Sequence, residues 1–537
     1  MKDPIVIVGS GPSGVHFALS LLRKGYEVTL LDVGYEKPAP VRPEDNFTAL
    51  KENLEDPTAY FLGEKYDGVL LPDVKKEYYG IPPSKDYVFQ TPRGFDYRAS
   101  GFEPMISFAR GGLAEVWTGG CYPFDDGELE DFPFNYSGIE PYYNEVARRI
   151  GITGTRDDLT RFFPFHEHLL EPLELDGHSA LLLKAYARHR DDLNGRLHCY
   201  LGRTRIATLS RDLDDRKRCT YLGRCLWGCP RQSLYTPSHT LAQCQQFPRF
   251  HYRAGLRVSH FRYTSGNRIT SVVARPASGG EPLEIPVQQL VLAAGALCSS
   301  KIFLDSIYRD SGTILELRGL MDNRQVLVPF INLRLIGRAA NLESYQYHQI
   351  GIGIDTGDPR GYVHGLITTL KTALLHPILH SLPCDLRTAI FLVRSMHCSL
   401  GVINVNFNDT RREENLLTIE PDQESGETRL LIHYVPVPKQ KAQIVLALRT
   451  IKKALWRLGC IVPPGMVHVR PMGASAHYAG TLPMSPQNRP LTTSALCQSH
   501  DFENLFLADG ATFPFLPAKN ITFTLMANAA RIAESAF

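Results

Sequence analysis

His477, in the run "HYAGTLPM", and Asn520, in "KNIT", are the two residues whose chemistry stands out near the end of the chain. A neutral imidazole with a pKa near working pH can take a proton from a hydroxyl. A carboxamide both donates and accepts, so it can hold an oxygen in place before and after that proton leaves. Each residue also has an ordinary reading. A single histidine commonly fills a structural role, and asparagine is a very good helix N-cap. His500, the nearest other histidine, reads as a loop residue. The rest of the chain must show whether anything lies opposite this pair.

The amino-terminal run "IVIVGSGPSGVHFALSLLRKGYEVTLLDVG" supplies a partner. Ile5 to Val8 is a short apolar run of the kind found in a strand buried on both faces. Gly9, Gly11 and Gly14 then form G-x-G-x-x-G, with Pro12 and Ser13 between them and Pro12 at a first-turn position. Val15, Ala18, Leu19 and Leu22 give the next segment one apolar helical face. A second strand ends in Asp32. In such a unit the first glycine makes the tight turn. The second admits a pyrophosphate, and the third lets helix and strand pack closely. The helix N-terminus offers N–H groups to phosphates, and the acid accepts from ribose hydroxyls, which argues against NADP. The unit alone does not choose between FAD and NAD.

Two later segments extend the same site. Leu505 to Ala508 reads as another strand, with Asp509 and Gly510 at its carboxyl end, where open α/β sheets bind ligands. A helix is expected to start near Asn520, with Ile521, Leu525, Ala529 and Ile532 on its buried face. In the middle, "LVLAAGALCSSKIFLDS" reads as strand, turn and helix, preceded by strands in "HYRAGLRVSHFRY" and "NRITSVVARP".

Four blocks, in order, resemble the glucose–methanol–choline (GMC) oxidoreductases, flavoproteins that oxidise alcohols. They are the glycine motif with Asp32-Val33-Gly34, "ARGGLAEVWTGG", "LVLAAGALCSSKIF", and the terminal "HYAGTLPM" with "NLFLADGATFPFLPAKNITFTLMANAARIA". The resemblance implies FAD at a domain interface, His477 as active-site base and Asn520 as its partner. It assigns Gly9, Gly11, Pro12, Ser13, Gly14, Asp32, Val33, Gly111, Gly112, Trp117, Val258, Ala294, Gly295, Asp509, Gly510, Ile521 and Thr522 to the cofactor. The family's Asn-Pro-Thr is here Asn520-Ile521-Thr522, without the proline. The block after Ala109 carries no histidine of the kind that bonds flavin covalently in some relatives, so non-covalent FAD is expected. The implied reaction is oxidation of CH–OH to a carbonyl, with hydride passing to flavin N5. Three alternatives remain: a lyase or isomerase on the same scaffold, a dehydrogenase subunit with an iron–sulfur centre, and a non-catalytic flavin-binding protein.

Two segments between the blocks carry their own alternatives. Cys219, Cys225 and Cys229 lie at C-x5-C-x3-C. Zinc sites usually need four ligands at closer spacing, so the adopted reading is free thiols in a loop, with an iron–sulfur cluster as the rival and no metal site assigned. Leu366 to Leu400 is apolar and proline-interrupted, and it reads as a pair of buried or half-buried helices. The rival reading is a channel for a large, apolar alcohol, opening on a membrane surface.

Length and composition frame these readings. The 537 residues are 43% hydrophobic and 21% charged with a net charge of +2, which supports two sizeable domains and gives no basic field for nucleic acid. A strand begins almost at once, no apolar stretch spans a bilayer, and eleven cysteines make an odd count, so a cytoplasmic protein is expected. The expected fold is α/β: a discontinuous Rossmann-type FAD domain from 1–35, 100–130, 214–310 and 490–537, and an α+β substrate domain with a mixed or antiparallel sheet from 131–213 and 311–489. Residues 36–99 are expected to form an irregular lid or contact segment. The electron acceptor is not specified by sequence.

Overall fold

The computed structural model describes residues 5–37, 44–66, 80–339, 343–370, 379, 382–422 and 426–537. Five short strands make one parallel sheet: β1 (Ile5–Val8), β2 (Val28–Leu31), β4 (Phe250–Arg253), β5 (Gln289–Leu292) and β12 (Leu505–Leu507), in the spatial order β12-β5-β1-β2-β4. The strands come from the start, middle and end of the described chain, as the apolar runs predict. Four of them are short and largely apolar because both faces are covered, while the edge strand β4 exposes His251 and Arg253. Ile5 and Ile7 face a core made with helices α1 (Pro12–Arg23) and α7 (Thr522–Ala536). Val6 and Val8 face the opposite core, with helix α4 (Ala296–Ser311) and the hairpin of Leu256–Tyr263 with Ile269–Pro276.

The second sheet is wholly antiparallel. Its long members are β3 (Cys199–Arg203), β6 (Arg324–Asn332), β7 (Ile350–Ile354), β8 (Val363–Thr369) and β9 (Leu400–Phe407), in the order β6-β9-β8-β7-β3, with Cys460–Ile461 and His468–Val469 added at the β6 edge. Val326, Val328, Ile352, Ile367, Ile403 and Val405 all point to one side. There they bury against helices α3 (Gly177–Leu197) and α6 (Pro438–Arg457). The other side of this sheet faces the cavity described below.

Four expectations are corrected here. Residues 131–213 were assigned to the substrate domain, but helix α2 (Tyr136–Ile150) buries Ile139, Tyr143 and Val146 in the core of α1 and α7. Tyr143 OH lies 2.7 Å from Thr524 Oγ1 on α7. Its apolar stripe fits either location, and sequence periodicity does not name the partner. The hairpin of β10 (Leu416–Pro421) and β11 (Thr428–His433), expected within the substrate domain, puts Leu417, Ile419, Leu430 and Ile432 in the core beside α4. The expected irregular segment 36–99 contains two short helices, Phe47–Asn53 and Pro57–Leu62, whose Phe47, Tyr60 and Phe61 pack on Trp227. Leu366 to Thr369 belong to strand β8 instead of a helix, because a short apolar run has no period that separates the two. Among the described residues of that stretch, Leu386–Met396 forms a long helix, α5, with Leu386 and Phe391 exposed; residues 371–378, 380 and 381 lie outside the described set. Among the described residues, no helix is long and apolar enough to cross a membrane.

Candidate active site

The glycine motif sits between β1 and α1, and its three glycines meet three different surroundings. Gly9 takes φ +104°, and a Cβ there would come 2.6 Å from the carbonyl oxygen of Ala293. A Cβ on Gly14 would lie 1.9 Å from the carbonyl oxygen of Gly9, so only glycine lets α1 approach the sheet. A Cβ on Gly11 would meet nothing within 4 Å, because that residue borders open space. The first-turn N–H groups of an α-helix have no intrahelical acceptors, so the end of α1 offers donors to that space. Asp32, at the end of β2, accepts from Ser10 Oγ and, at 3.2 Å, from Tyr252 OH. Burial pushes its carboxyl up to about 7, and both donors oppose that rise.

The open space is a cavity of about 440 Å³. It collects residues from every block singled out in the sequence. Gly9, Gly11, Pro12, Ser13, Asp32 and Val33 line it from the amino-terminal unit. Gly112, Trp117, Val258, Ala294 and Gly295 line it from the middle of the chain. Asp509, Gly510, Ile521 and Thr522 line it from the end, together with His477 and Asn520. Gly14 and Gly111 are outside the lining. Gly14 is at the helix–strand contact, and Gly111 donates its N–H to Ser10 Oγ at 3.0 Å. Ser10 therefore ties the second glycine loop to Asp32. Behind the lining, the Ala294 N–H donates to Ser299 Oγ at 3.2 Å, and Ser299 donates to Asp509.

These surroundings fit a dinucleotide. Gly11 leaves room for a pyrophosphate, an acid is ready at the end of β2, and the helix N-terminus points at the same space. Gly9, Gly11, Ser13, Asp32 and the second glycine loop are the residues that would hold it.

His477 follows a turn whose Ala476 has φ +60°, a strained value for a non-glycine residue. The turn is held by Asp322, which accepts from the Gly473 N–H at 2.5 Å and from Ser475 Oγ. Ser475 Oγ in turn accepts the His477 N–H at 3.0 Å. His477 Nδ1 is 2.9 Å from Asn323 Oδ1. The orientation of Asn323 is fixed, because its Nδ2 donates to the carbonyls of Phe407 at 2.9 Å and Pro517 at 2.8 Å. Its Oδ1 can only accept, so Nδ1 of His477 carries the proton and Nε2 is the unprotonated, accepting nitrogen. Nε2 lies 3.4 Å from Asn520 Nδ2. Burial lowers the imidazole's pKa to about 4, so the ring is neutral.

Asn520 is not a cap. Helix α7 begins at Thr522 with Ile521 as N-cap and no side-chain capping bond, and Asn520 Oδ1 is buried without a hydrogen-bond partner. Ile521 takes φ −83°, within a few degrees of the proline range, so the backbone stays close to the turn that the missing proline would give. His500 sits away from the site and pairs through Nδ1 with Thr492 Oγ1 at 2.8 Å. Asn323, Asp322 and Ser475 carried no signal in the sequence, since a polar residue beside a short strand has many ordinary roles.

Lys519, wholly buried, anchors the segment before α7. Its Nζ is 2.5 Å from Glu128 Oε2, 3.1 Å from the Pro123 carbonyl oxygen and 3.4 Å from Asp125 Oδ2. Burial pushes the Glu128 carboxyl upward, and Lys519 pulls it back. Removing one partner leaves the other charge buried and alone. Lys519→Met is therefore expected to cost about 3–5 kcal/mol in denaturant unfolding of the holoprotein, and Lys519→Met with Glu128→Leu much less. Equal losses in the single and double variants would show that the pair is not coupled.

The three cysteines of the central loop are free. Cys219 Sγ accepts the Tyr221 N–H and Cys225 Sγ the Gln346 N–H, each at 3.4 Å. Among the described residues, no three His, Cys, Asp or Glu side chains are grouped to hold a metal ion.

Comparison with known proteins agrees with this geometry. A family model described as GMC oxidoreductase matches residues 412–529. The chain is 23% identical to 2-methyl-1,2-propanediol dehydrogenase of Mycolicibacterium austroafricanum over 99% of this chain and 95% of that protein. It is 21% identical to paromamine 6′-oxidase of Streptomyces fradiae, over 99% and 90%. Among solved structures, pyridoxine 4-oxidase from Mesorbium loti shares the fold with a TM-score of 0.60 at 16% identity, covering 99% of both chains. A formate oxidase does so with a TM-score of 0.60 at 11% identity, over 99% and 98%. The cradle and the paired His477 and Asn520 line one cavity, and the chain is similar to the GMC oxidoreductases, by the family model over residues 412–529 and by its relatives over nearly its whole length.

Proposed function

We propose that this protein oxidises a hydroxyl-bearing small molecule to its carbonyl, using FAD held without a covalent bond. The observation that carries this reading is the unprotonated Nε2 of a neutral His477, paired with Asn520 in the lining of the same cavity as the glycine cradle. A bound flavin supplies the hydride acceptor. His477 Nε2 takes the hydroxyl proton, and the proton on Nδ1 stays with Asn323 Oδ1. Asn520, in the cavity lining beside Nε2, holds the oxygen through its amide.

Non-covalent attachment is supported by the side chains at hand. Cys298, the cysteine lining the cavity, has its thiol pushed up to about 12 by burial and so is a poor nucleophile. The eleven free cysteines support a reducing, cytoplasmic setting. The relatives named 2-methyl-1,2-propanediol dehydrogenase and paromamine 6′-oxidase support hydroxyl oxidation.

The test is anaerobic mixing of the yellow holoprotein with a panel of alcohols. Bleaching of the flavin absorbance is expected, and no bleaching by any alcohol would overturn the reading. The pH profile tests the base. Because burial holds His477 near 4, the acid limb of kcat/KM is expected near that value instead of about 6.5. In Asn323→Asp a carboxylate next to Nδ1 favours the imidazolium, so that limb moves to higher pH, by about 1–3 units. An acid limb that stays in place in this variant would detach Asn323 from His477.

A further inference from the structure

Most of the large apolar side chains that stay exposed among the described residues belong to one part of the molecule. Leu386 and Phe391 are on α5, and Val445, Leu446 and Trp456 are on α6. Leu333 and Ile336 follow β6, and Val469 pairs along its edge. Two hydrogen bonds bring these segments to a shared corner of the second sheet. The Leu333 N–H donates to the Gly459 carbonyl, just past α6, at 3.1 Å. The Gly337 N–H donates to the Ser395 carbonyl, on α5, at 2.8 Å.

Helix α6 presents this surface most plainly. Ile444, Ala447, Ile451 and Ala454 are buried against the sheet. Leu446, Arg449, Lys453 and Trp456, at i, i+3, i+7 and i+10, therefore run along the outward line of the helix. Leu446 is 65% exposed and Trp456 63%, and an exposed apolar patch of this kind marks an interaction surface. The charge indicates the partner. The chain carries 56 Asp and Glu, yet none stands between Thr428 and His500, between Arg324 and Ala339, or between Leu386 and Asn408. Asp192 on α3, the carboxylate that pairs with α6, is held by Arg457 at 2.9 Å and by Arg196 at 3.5 Å. Arg449, Lys452 and Lys453 pair with no carboxylate among the described residues. Arg196, Lys452, Lys453, Arg457 and Trp456 border one cleft between the ends of α3 and α6.

Cations alone would suit any polyanion. Leu446 and Trp456 gain little from a soluble one, whereas in a headgroup layer both leave water, and tryptophan concentrates there. We infer that α6, with the corner it shares with α5, docks on a bilayer that contains anionic phospholipid. The lysines and arginines meet headgroup phosphates, and Trp456 and Leu446 enter the interface between them. The protein lies on the membrane and does not span it, in keeping with the lack of a long apolar helix among the described residues.

The experiment is flotation of the holoprotein with extruded vesicles of phosphatidylcholine alone, or of phosphatidylcholine and phosphatidylglycerol in equal parts. Binding to the mixed vesicles is expected to be at least about tenfold tighter, and to weaken as salt is raised. Trp227 is buried and Trp117 lines the cavity, so Trp456 is the tryptophan that reports on this surface. Its emission is expected to shift to the blue on the mixed vesicles. Lys452→Gln with Lys453→Gln is expected to weaken binding by about ten- to thirtyfold, and Leu446→Ser with Trp456→Ser by at least about tenfold. All four side chains are exposed, so an unchanged flavin spectrum and melting temperature are expected in both variants. The salt and lipid dependence of the native protein tests the same surface without any substitution. A native protein that stays in the soluble fraction with both vesicles would overturn the proposal, and so would equal affinity for the two. Unchanged binding in both variants would remove α6 from the contact. Retention on polyglutamate or duplex DNA without vesicle binding would overturn the membrane in favour of a soluble polyanion.

Discussion

His477→Ala is expected to keep its yellow cofactor and to be reduced by alcohol at least about a hundredfold more slowly than the native protein. The cofactor stays because the imidazole lies across the cavity from the glycine cradle and holds none of its turns. The rate falls because nothing nearby can take over. Asn520, the group 3.4 Å from Nε2, is an amide with no useful basicity. Asp32 lies beside the nucleotide cradle and Asp509 is bound to Ser299 and the Ala511 N–H. Stopped-flow reduction measures the effect, and added imidazole is expected to recover part of the lost rate by filling the vacated space. Reduction at the native rate would remove His477 from the chemistry.

The second large effect separates two glycines of one motif. Gly14→Ala puts a methyl 1.9 Å from the Gly9 carbonyl oxygen, and neither side can yield cheaply. Gly9 is held in the sheet by its N–H bond to the Leu31 carbonyl at 2.9 Å, and α1 is pinned by the core it shares with α7. Overpacking of this kind typically costs about 1–3 kcal/mol, so the apoprotein itself melts earlier and flavin binding weakens with it. Gly11→Ala has nothing within 4 Å to strike, and its φ of −64° suits alanine. Its methyl instead stands where a pyrophosphate would rest. The apoprotein is expected to melt normally, while flavin dissociation rises at least about tenfold, or 1.4 kcal/mol. Identical behaviour of the two variants in thermal melting and flavin titration would contradict the division of labour between them.

What the sequence made legible follows from where local chemistry is decisive. The glycine motif, Asp32 and the Asp509 turn are backbone devices whose parts lie within a few residues of one another. His477 and Asn520 are 43 residues apart, and the family blocks around them linked them to one pocket. Asn323 stands 154 residues from His477 and was invisible, because an amide at the head of a strand has no distinguishing neighbour. Asn404 and Gln325, which line the cavity from the second sheet, were hidden for a related reason. Alternating polar residues in a strand normally mark a solvent face, and only the fold shows that this face is enclosed. The residues of helix α2 and of the β10–β11 hairpin were given to the substrate domain and so to the wrong core, since amphipathicity states that a face is buried and not against what.

The order in which the parallel sheet is assembled has a consequence for biosynthesis. Its central strand β1 is flanked by β2 and β5, and β5 needs β12, more than two hundred positions further along. Helix α1 packs on α7, so the nucleotide cradle lacks one wall until residues 505–536 have left the ribosome. Cofactor loading thereby waits until those residues have been made, and riboflavin starvation should leave an intact apoprotein pool that fills on resupply without new translation.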